Sequence, residues 1–242
     1  MTHLVRTELV KLRTTRAPLA VLLGLFALTA LITPFAMGDI GQGDATKAAD
    51  AREVLAVGPG LITALVLLLL GAIAAAGEFH HRTVVTTYLI TPRRGRILAA
   101  KLFTHGALGA VVAGIGVAIT FPIVLVMANA DGLEIATTPE LFGLAAALVG
   151  VGALASVFGV AAGSILRNQT AVILVILLWT LLFERFFGGF LPPVLPFGAI
   201  LTAAGLAGDD APSTLASFAV LTVWAGALIL AAQQYFIRRD VT

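Results

Sequence analysis

Residues 77–96 read Gly77-Glu78-Phe79-His80-His81-Arg82-Thr83-Val84-Val85-Thr86-Thr87-Tyr88-Leu89-Ile90-Thr91-Pro92-Arg93-Arg94-Gly95-Arg96, a polar stretch set between two long apolar runs. Val84, Val85, Tyr88 and Leu89 fall at i, i+1, i+4 and i+5 and form one apolar face of a short helix, with Thr83, Thr86, Thr87 and Thr91 on the others. Pro92 ends that helix, because it cannot continue the hydrogen-bond ladder and it pushes its predecessor out of the α region. Arg93, Arg94 and Arg96 follow, and Lys101 opens the next apolar run. A short amphipathic helix between two apolar runs, closed by a basic cluster, is the mark of a chain that crosses a membrane, surfaces and crosses again.

Composition agrees. The 242 residues are 59% hydrophobic and 12% charged, against about 25% charged in a soluble domain, so the chain cannot cover a water-facing surface. A crossing needs roughly 20 apolar residues. Six stretches qualify, at 18–37, 57–76, 102–128, 141–166, 170–187 and 215–237. The expected fold is a single all-α transmembrane domain over 1–242, with six transmembrane helices, an N-terminal interfacial helix over 1–17 and a cytoplasmic helix within 77–96. Residues 188–206 hold Gly188-Gly189 and Pro192-Pro193 and are too broken to cross again. They are expected as short re-entrant or interfacial helices, since irregular backbone at membrane depth must be buried in protein. The apolar stretch from Pro18 exceeds a signal-peptide core of about 7–15 residues and is expected to stay as a span.

Lysine and arginine mark the cytoplasmic side. Arg6, Lys11, Arg13, Arg16, Arg82, Arg93, Arg94, Arg96, Lys101, Arg167, Arg238 and Arg239 fall on one side of the six-span scheme. Only Lys47, Arg52 and Arg185 fall on the other, with most of the acids. Both termini and residues 77–96 are therefore expected in the cytoplasm, and the protein in the cytoplasmic (inner) membrane. The net charge of +2 is spent on this asymmetry and not on nucleic acid.

In the leader, Val5, Leu9 and Leu12 recur at i, i+4 and i+7, with Arg6, Thr7, Lys11 and Arg13 off that stripe. This pattern fits a helix lying in the membrane interface, apolar side in the acyl boundary. It serves as a positive-inside anchor, or also flanks a docking site. The 77–96 loop admits three readings: a solvated loop, a headgroup-binding patch, or a docking helix for a soluble protein.

Gly77-Glu78, the helix Thr83–Leu89 and Thr91-Pro92-Arg93-Arg94-Gly95-Arg96 resemble the permease subunit of ABC-2 type ABC transporters. The leader Thr7-Glu8-Leu9-Val10-Lys11-Leu12-Arg13-Thr14 is similar to the opening helix of that family, in which E-x-x-K-L-R recurs. The resemblance extends to span number, loop order and the proline-rich stretch after the fifth span. It implies a half-transporter: two such subunits, identical or related, above two ATPase subunits. Glu78, Phe79, His80, His81, Arg82, Thr83, Val84, Val85, Thr87, Tyr88 and Thr91 would form the coupling helix on the ATPase. Arg6, Lys11, Arg13, Arg93, Arg94 and Arg96 would anchor it among membrane lipids. The second and fifth spans would line the dimer interface and substrate path, with Thr63, Leu67, Thr180 and Phe183 as candidates.

The chemistry of the remaining residues is sparse. No G-x-x-x-x-G-K-[ST] phosphate loop is present, so ATP and Mg would sit on the partner and this chain would carry no cofactor. With no cysteine and no H-E-x-x-H, no metal site is expected, and His80 and His81 point about 100° apart on a helix. G-x-S-x-G is absent as well, and no catalytic residue is expected. Glu184 and Arg185, at the outer end of the fifth span, line an exit or form a boundary pair. Ala155, Gly159 and Gly163 repeat every four residues, a small-xxx-small face that serves packing within the chain or between subunits. The expected function is ATP-driven export of a hydrophobic or amphipathic small molecule such as a drug, antibiotic or lipid-like compound. A non-transporting six-span scaffold or immunity protein is the alternative. An autonomous channel is another, disfavoured by the lack of charged pore rings.

Overall fold

The structure, a computed structural model, describes residues 2–14, 16–38, 54–80, 93–130, 139–187, 194–206 and 212–238. These residues are helical almost throughout, with no strand among them. In chain order the elements are α1 (Thr2–Thr14), α2 (Arg16–Gly38), a π-helical stretch (Ala56–Ile62) leading into α3 (Thr63–His80), α4 (Arg94–Ala130), α5 (Pro139–Leu166), α6 (Gln169–Leu178), α7 (Pro196–Ala203) and α8 (Thr214–Arg238). After α6 the helix widens into a π-helical turn at Trp179–Phe183 and closes with Glu184–Phe187.

Among the described residues five helices are long and apolar enough to cross a membrane: Pro18–Ala36, Gly60–His80, Arg94–Met127, Leu141–Leu166 and Thr214–Tyr235. The outer surface is apolar, with Phe35 72%, Phe186 79% and Leu215 81% exposed. Such a surface needs lipid, so the chain is a multi-pass α-helical membrane protein. The fifth expected span, 170–187, is instead a shorter apolar helix, Gln169–Phe183. Where the third span was expected to begin at 102, α4 already starts at Arg94. The expected loop 77–96 is correspondingly shorter, since α3 runs on to His80.

The core is built around α5, which packs chiefly against α3 and α4 and then α8. Its small residues decide this. A Cβ at Gly159 would strike the Leu68 carbonyl oxygen of α3, and one at Gly163 the Ala72 carbonyl oxygen. Toward α4, Gly109 and Gly152 face each other's backbone carbonyls. The small-xxx-small face is thus occupied within the chain, where it lets backbones touch and dispersion act at close range. Ala64, Val151, Ala155, Leu221 and Ala225 extend the same core from α3 through α5 to α8.

The connections are tight. Only Arg167 and Asn168 separate α5 from α6, with Arg167 at a φ of 53° in the left-handed region. Asn168 caps α6, its side-chain oxygen accepting from Ala171 N at 3.1 Å. Helix α7 starts on Pro196 and ends in a Schellman motif, where Leu206 N donates to Leu201 O and Gly205 N to Thr202 O. Gly205 has a φ of 80°, which a residue with a side chain rarely adopts.

Candidate functional site

Four charged side chains meet where α1, α3 and α4 converge. Lys101 Nζ donates to Glu8 Oε2 and to Glu78 Oε1, both at 2.7 Å. Lys11 Nζ donates to Glu8 Oε1 and to the same Glu78 Oε1, both at 2.8 Å. The result is a closed ring of alternating sign holding the start of the chain, the end of α3 and the start of α4. An isolated charge buried this way would cost several kcal/mol. Here two carboxylates and two ammonium groups cancel.

Local sequence sets up each arm. Glu8 and Lys11 are three apart on α1 and share a face; Glu78 lies in the last turn of α3, and Lys101 two turns into α4. Burial by itself would raise the Glu8 carboxyl, but Lys101 and Lys11 outweigh it and hold the group below the usual carboxylate range. Burial likewise would lower Lys11, and its bonds to Glu78 and Glu8 outweigh that and hold it above the usual range.

This arrangement changes the reading of α1. Glu8 is buried, while Leu9 and Val10 are each 53% exposed. The helix turns Glu8 toward the protein and these two apolar side chains away from it.

Next to Glu78, Phe79 is fixed on the other side. The Arg167 guanidinium lies 4.9 Å from its ring centroid, and Arg167 Nη2 donates to Tyr235 O at 2.7 Å near the end of α8. Two consecutive residues of α3 thereby engage α1 and α4 on one side, the α5–α6 turn and α8 on the other.

A cavity of about 540 Å³ opens behind the ion ring. The ring residues and Pro18 form one end, and Leu22, Leu67, Leu70 and Leu108 line the apolar part. His105, one turn beyond Lys101 on α4, and Ser156 of α5 also line it; both are buried, at 3% and 1% exposure.

A second cavity, of about 220 Å³, lies between α3, α5, α6, α7 and α8 and is lined by Leu68, Phe158, Ile176, Trp179, Phe197 and Trp224 among others. Glu184 sits at its edge as a helix cap. Its Oε1 accepts from Trp179 Nε1 at 2.6 Å and Phe197 N at 2.9 Å, and its Oε2 accepts from Gly198 N at 2.8 Å. The π-helical turn, closed by Glu184 N donating to Trp179 O, precedes this carboxylate directly. Trp224 Nε1 donates to Val194 O at 2.8 Å, tying α8 to the same corner.

The residues singled out from the sequence fall in several places. Glu78 is in the ion ring and Phe79 against Arg167, while His80 is exposed at the end of α3. His81, Arg82, Thr83, Val84, Val85, Thr87, Tyr88 and Thr91 lie outside the described residues. Arg6, Arg93 and Arg96 are exposed and Arg94 is half-buried at the start of α4, whereas Lys11 is in the ring; the Arg13 and Arg185 side chains lie outside the description. The path candidates divide. Leu67 lines the larger cavity, and Thr180 and Glu184 line the smaller. Thr63 is buried with its hydroxyl unpartnered among the described residues, Thr180 bonds back to Ile176 O at 2.9 Å, and Phe183 stacks on Trp179 at 4.5 Å.

Glu8, Lys101 and His105 carried no site role in the sequence. The available signal was Lys101 with His105 one turn further inside an apolar run, since a charge there demands a partner. Glu8 is also the sole acid in a basic leader. Among the described residues no group of three or more His, Asp or Glu is placed to hold a metal. No protein-family model matches this sequence, and no curated protein matches it either.

Proposed function

We propose that this chain is the membrane subunit of an ATP-driven ABC-2 type exporter in the cytoplasmic membrane. It crosses six times, the short α6 being the fifth crossing, with both termini in the cytoplasm. Two copies, or one copy and a related subunit, assemble with two ATPase subunits that carry ATP and Mg. Residues 78–91 seat on the ATPase, and its closure drives alternating access for a hydrophobic or amphipathic compound. The ion ring is the observation that carries this reading. A cytoplasmic segment that receives force needs rigid attachment at both ends. Glu78 and Lys101, which flank residues 81–92, are joined to each other through a shared 2.7 Å ion pair and to α1 through Glu8. A push on that segment is then shared by α1, α3 and α4 and passed through the glycine contacts to α5.

Co-purification with the ATPase encoded beside the gene is the direct test. The paired change Val85→Asp and Tyr88→Asp should abolish association while leaving the permease folded. Undiminished association would overturn the docking role of this segment.

A further inference from the structure

We propose that the cavity behind the ion ring is a binding site for an uncharged amphiphile, with its hydrogen-bonding head at His105 and Ser156 and its apolar part against Leu22, Leu67, Leu70 and Leu108. Four observations converge. Its volume of about 540 Å³ falls within the ~300–1,000 Å³ of pockets that take small molecules. Its wall is graded: along one face of α4, Lys101, His105 and Leu108 pass from charged to polar to apolar over about 10 Å at 1.5 Å per residue. His105 and Ser156 are both buried on this wall, and neither makes a hydrogen bond among the described residues. Polar groups are ordinarily paired, and these two, bordering the cavity, can give their hydrogen bonds to an occupant. Finally, the two carboxylates and two ammonium groups of the ring already neutralise one another. An alcohol, ester or amide head adds no net charge beside these ion pairs.

Water alone is a poor occupant, because each molecule needs two to four polar partners and the middle of the wall is mostly leucine. The site lies within one copy of the chain, so it depends on neither dimer nor ATPase. Its failure would leave the docking reading untouched.

The test uses the full chain in lipid nanodiscs with a diazirine-bearing monoacylglycerol, and maps labelled peptides by mass spectrometry. Saturable labelling is expected in residues 67–78 and 101–108, competed by unlabelled monoacylglycerol. Leu108→Trp, whose added bulk intrudes on the apolar part of the cavity, should weaken it. His105→Phe should weaken it about tenfold, the loss of one hydrogen bond, and His105→Gln should restore part. An unchanged thermal unfolding midpoint in either His105 variant separates lost binding from lost fold. Labelling that is equal on the outward residues Leu23 and Leu31 and indifferent to Leu108→Trp would overturn the site. Competition by a fatty-acid anion or an alkylammonium as strong as that by the monoacylglycerol would overturn the uncharged head.

Discussion

Lys101 of α4 and Glu8 of α1 are 93 positions apart in the chain and form a 2.7 Å ion pair with both side chains almost fully buried. Through it the first helix becomes part of the bundle.

Removing one side of this pair leaves an uncompensated charge. Lys101→Met should destabilise the protein by about 3–5 kcal/mol, measured as a fall in unfolding midpoint in detergent. Combining it with Glu8→Gln should recover part of the loss, because the buried charge goes too. Equal damage in the single and double variants would argue against the pair.

The ring also sets a pH window. Glu8 is held below its usual range, so its contribution is present above the unfolded value of about 4.3 and is lost as pH falls through the lower folded value. Lys11 is held above its usual range, so its contribution is complete below about 10.4 and is lost as pH rises through the higher folded value. The share of stability that Glu8 and Lys11 contribute should therefore be flat from about pH 5 to 10 and fall on either side. Glu8→Gln should flatten the acid limb selectively in a series of thermal unfolding curves.

Two glycines predict opposite outcomes. At Gly159 a Cβ meets the Leu68 backbone, and Gly159→Val should cost at least about 1–3 kcal/mol by overpacking. At Gly226, where nothing lies within 4 Å, Gly226→Ala should be neutral or stabilising by up to about 1 kcal/mol. Unfolding midpoints of the two variants give the comparison directly.

Glu184 caps α7 with two backbone hydrogen bonds and holds Trp179 with a third. Glu184→Ala should destabilise by about 1–3 kcal/mol and speed amide exchange at Phe197 and Gly198. In a Trp224→Phe background it should also shift the Trp179 emission. An unaltered exchange pattern over 196–203 would dismiss the cap.

Much of the architecture was legible in the sequence because it is local. Runs of about 20 apolar residues give the long helices, and the four-residue spacing of Ala155, Gly159 and Gly163 marks a close-packed face. What escaped is what depends on distant residues. Hydropathy places the start of the third crossing at Leu102 because Lys101, Arg96 and Arg94 look too polar, yet Lys101 is neutralised by Glu8 and Glu78 from elsewhere in the chain. Val5, Leu9 and Leu12 make a credible stripe on α1, but the inward face is decided by Glu8, whose partner lies on α4. Glu184 read as an exit or boundary residue for the same reason, its acceptors' partners Phe197 and Gly198 being 13 and 14 positions ahead.

The seam between α3 and α5 is keyed. Gly159 sits on Leu68 and Gly163 on Ala72, and one turn beyond that pair lie Ala155 within α5 and Arg167 immediately past its end. Sliding α5 along α3 by a turn, about 5.4 Å, would bring a side chain onto a backbone oxygen in either direction. The two helices thus admit one register and must travel together. The chain has no native cysteine, so a cysteine pair at Ala64 and Ala155 would report this directly: its cross-linking yield should stay constant in every folded state of the protein.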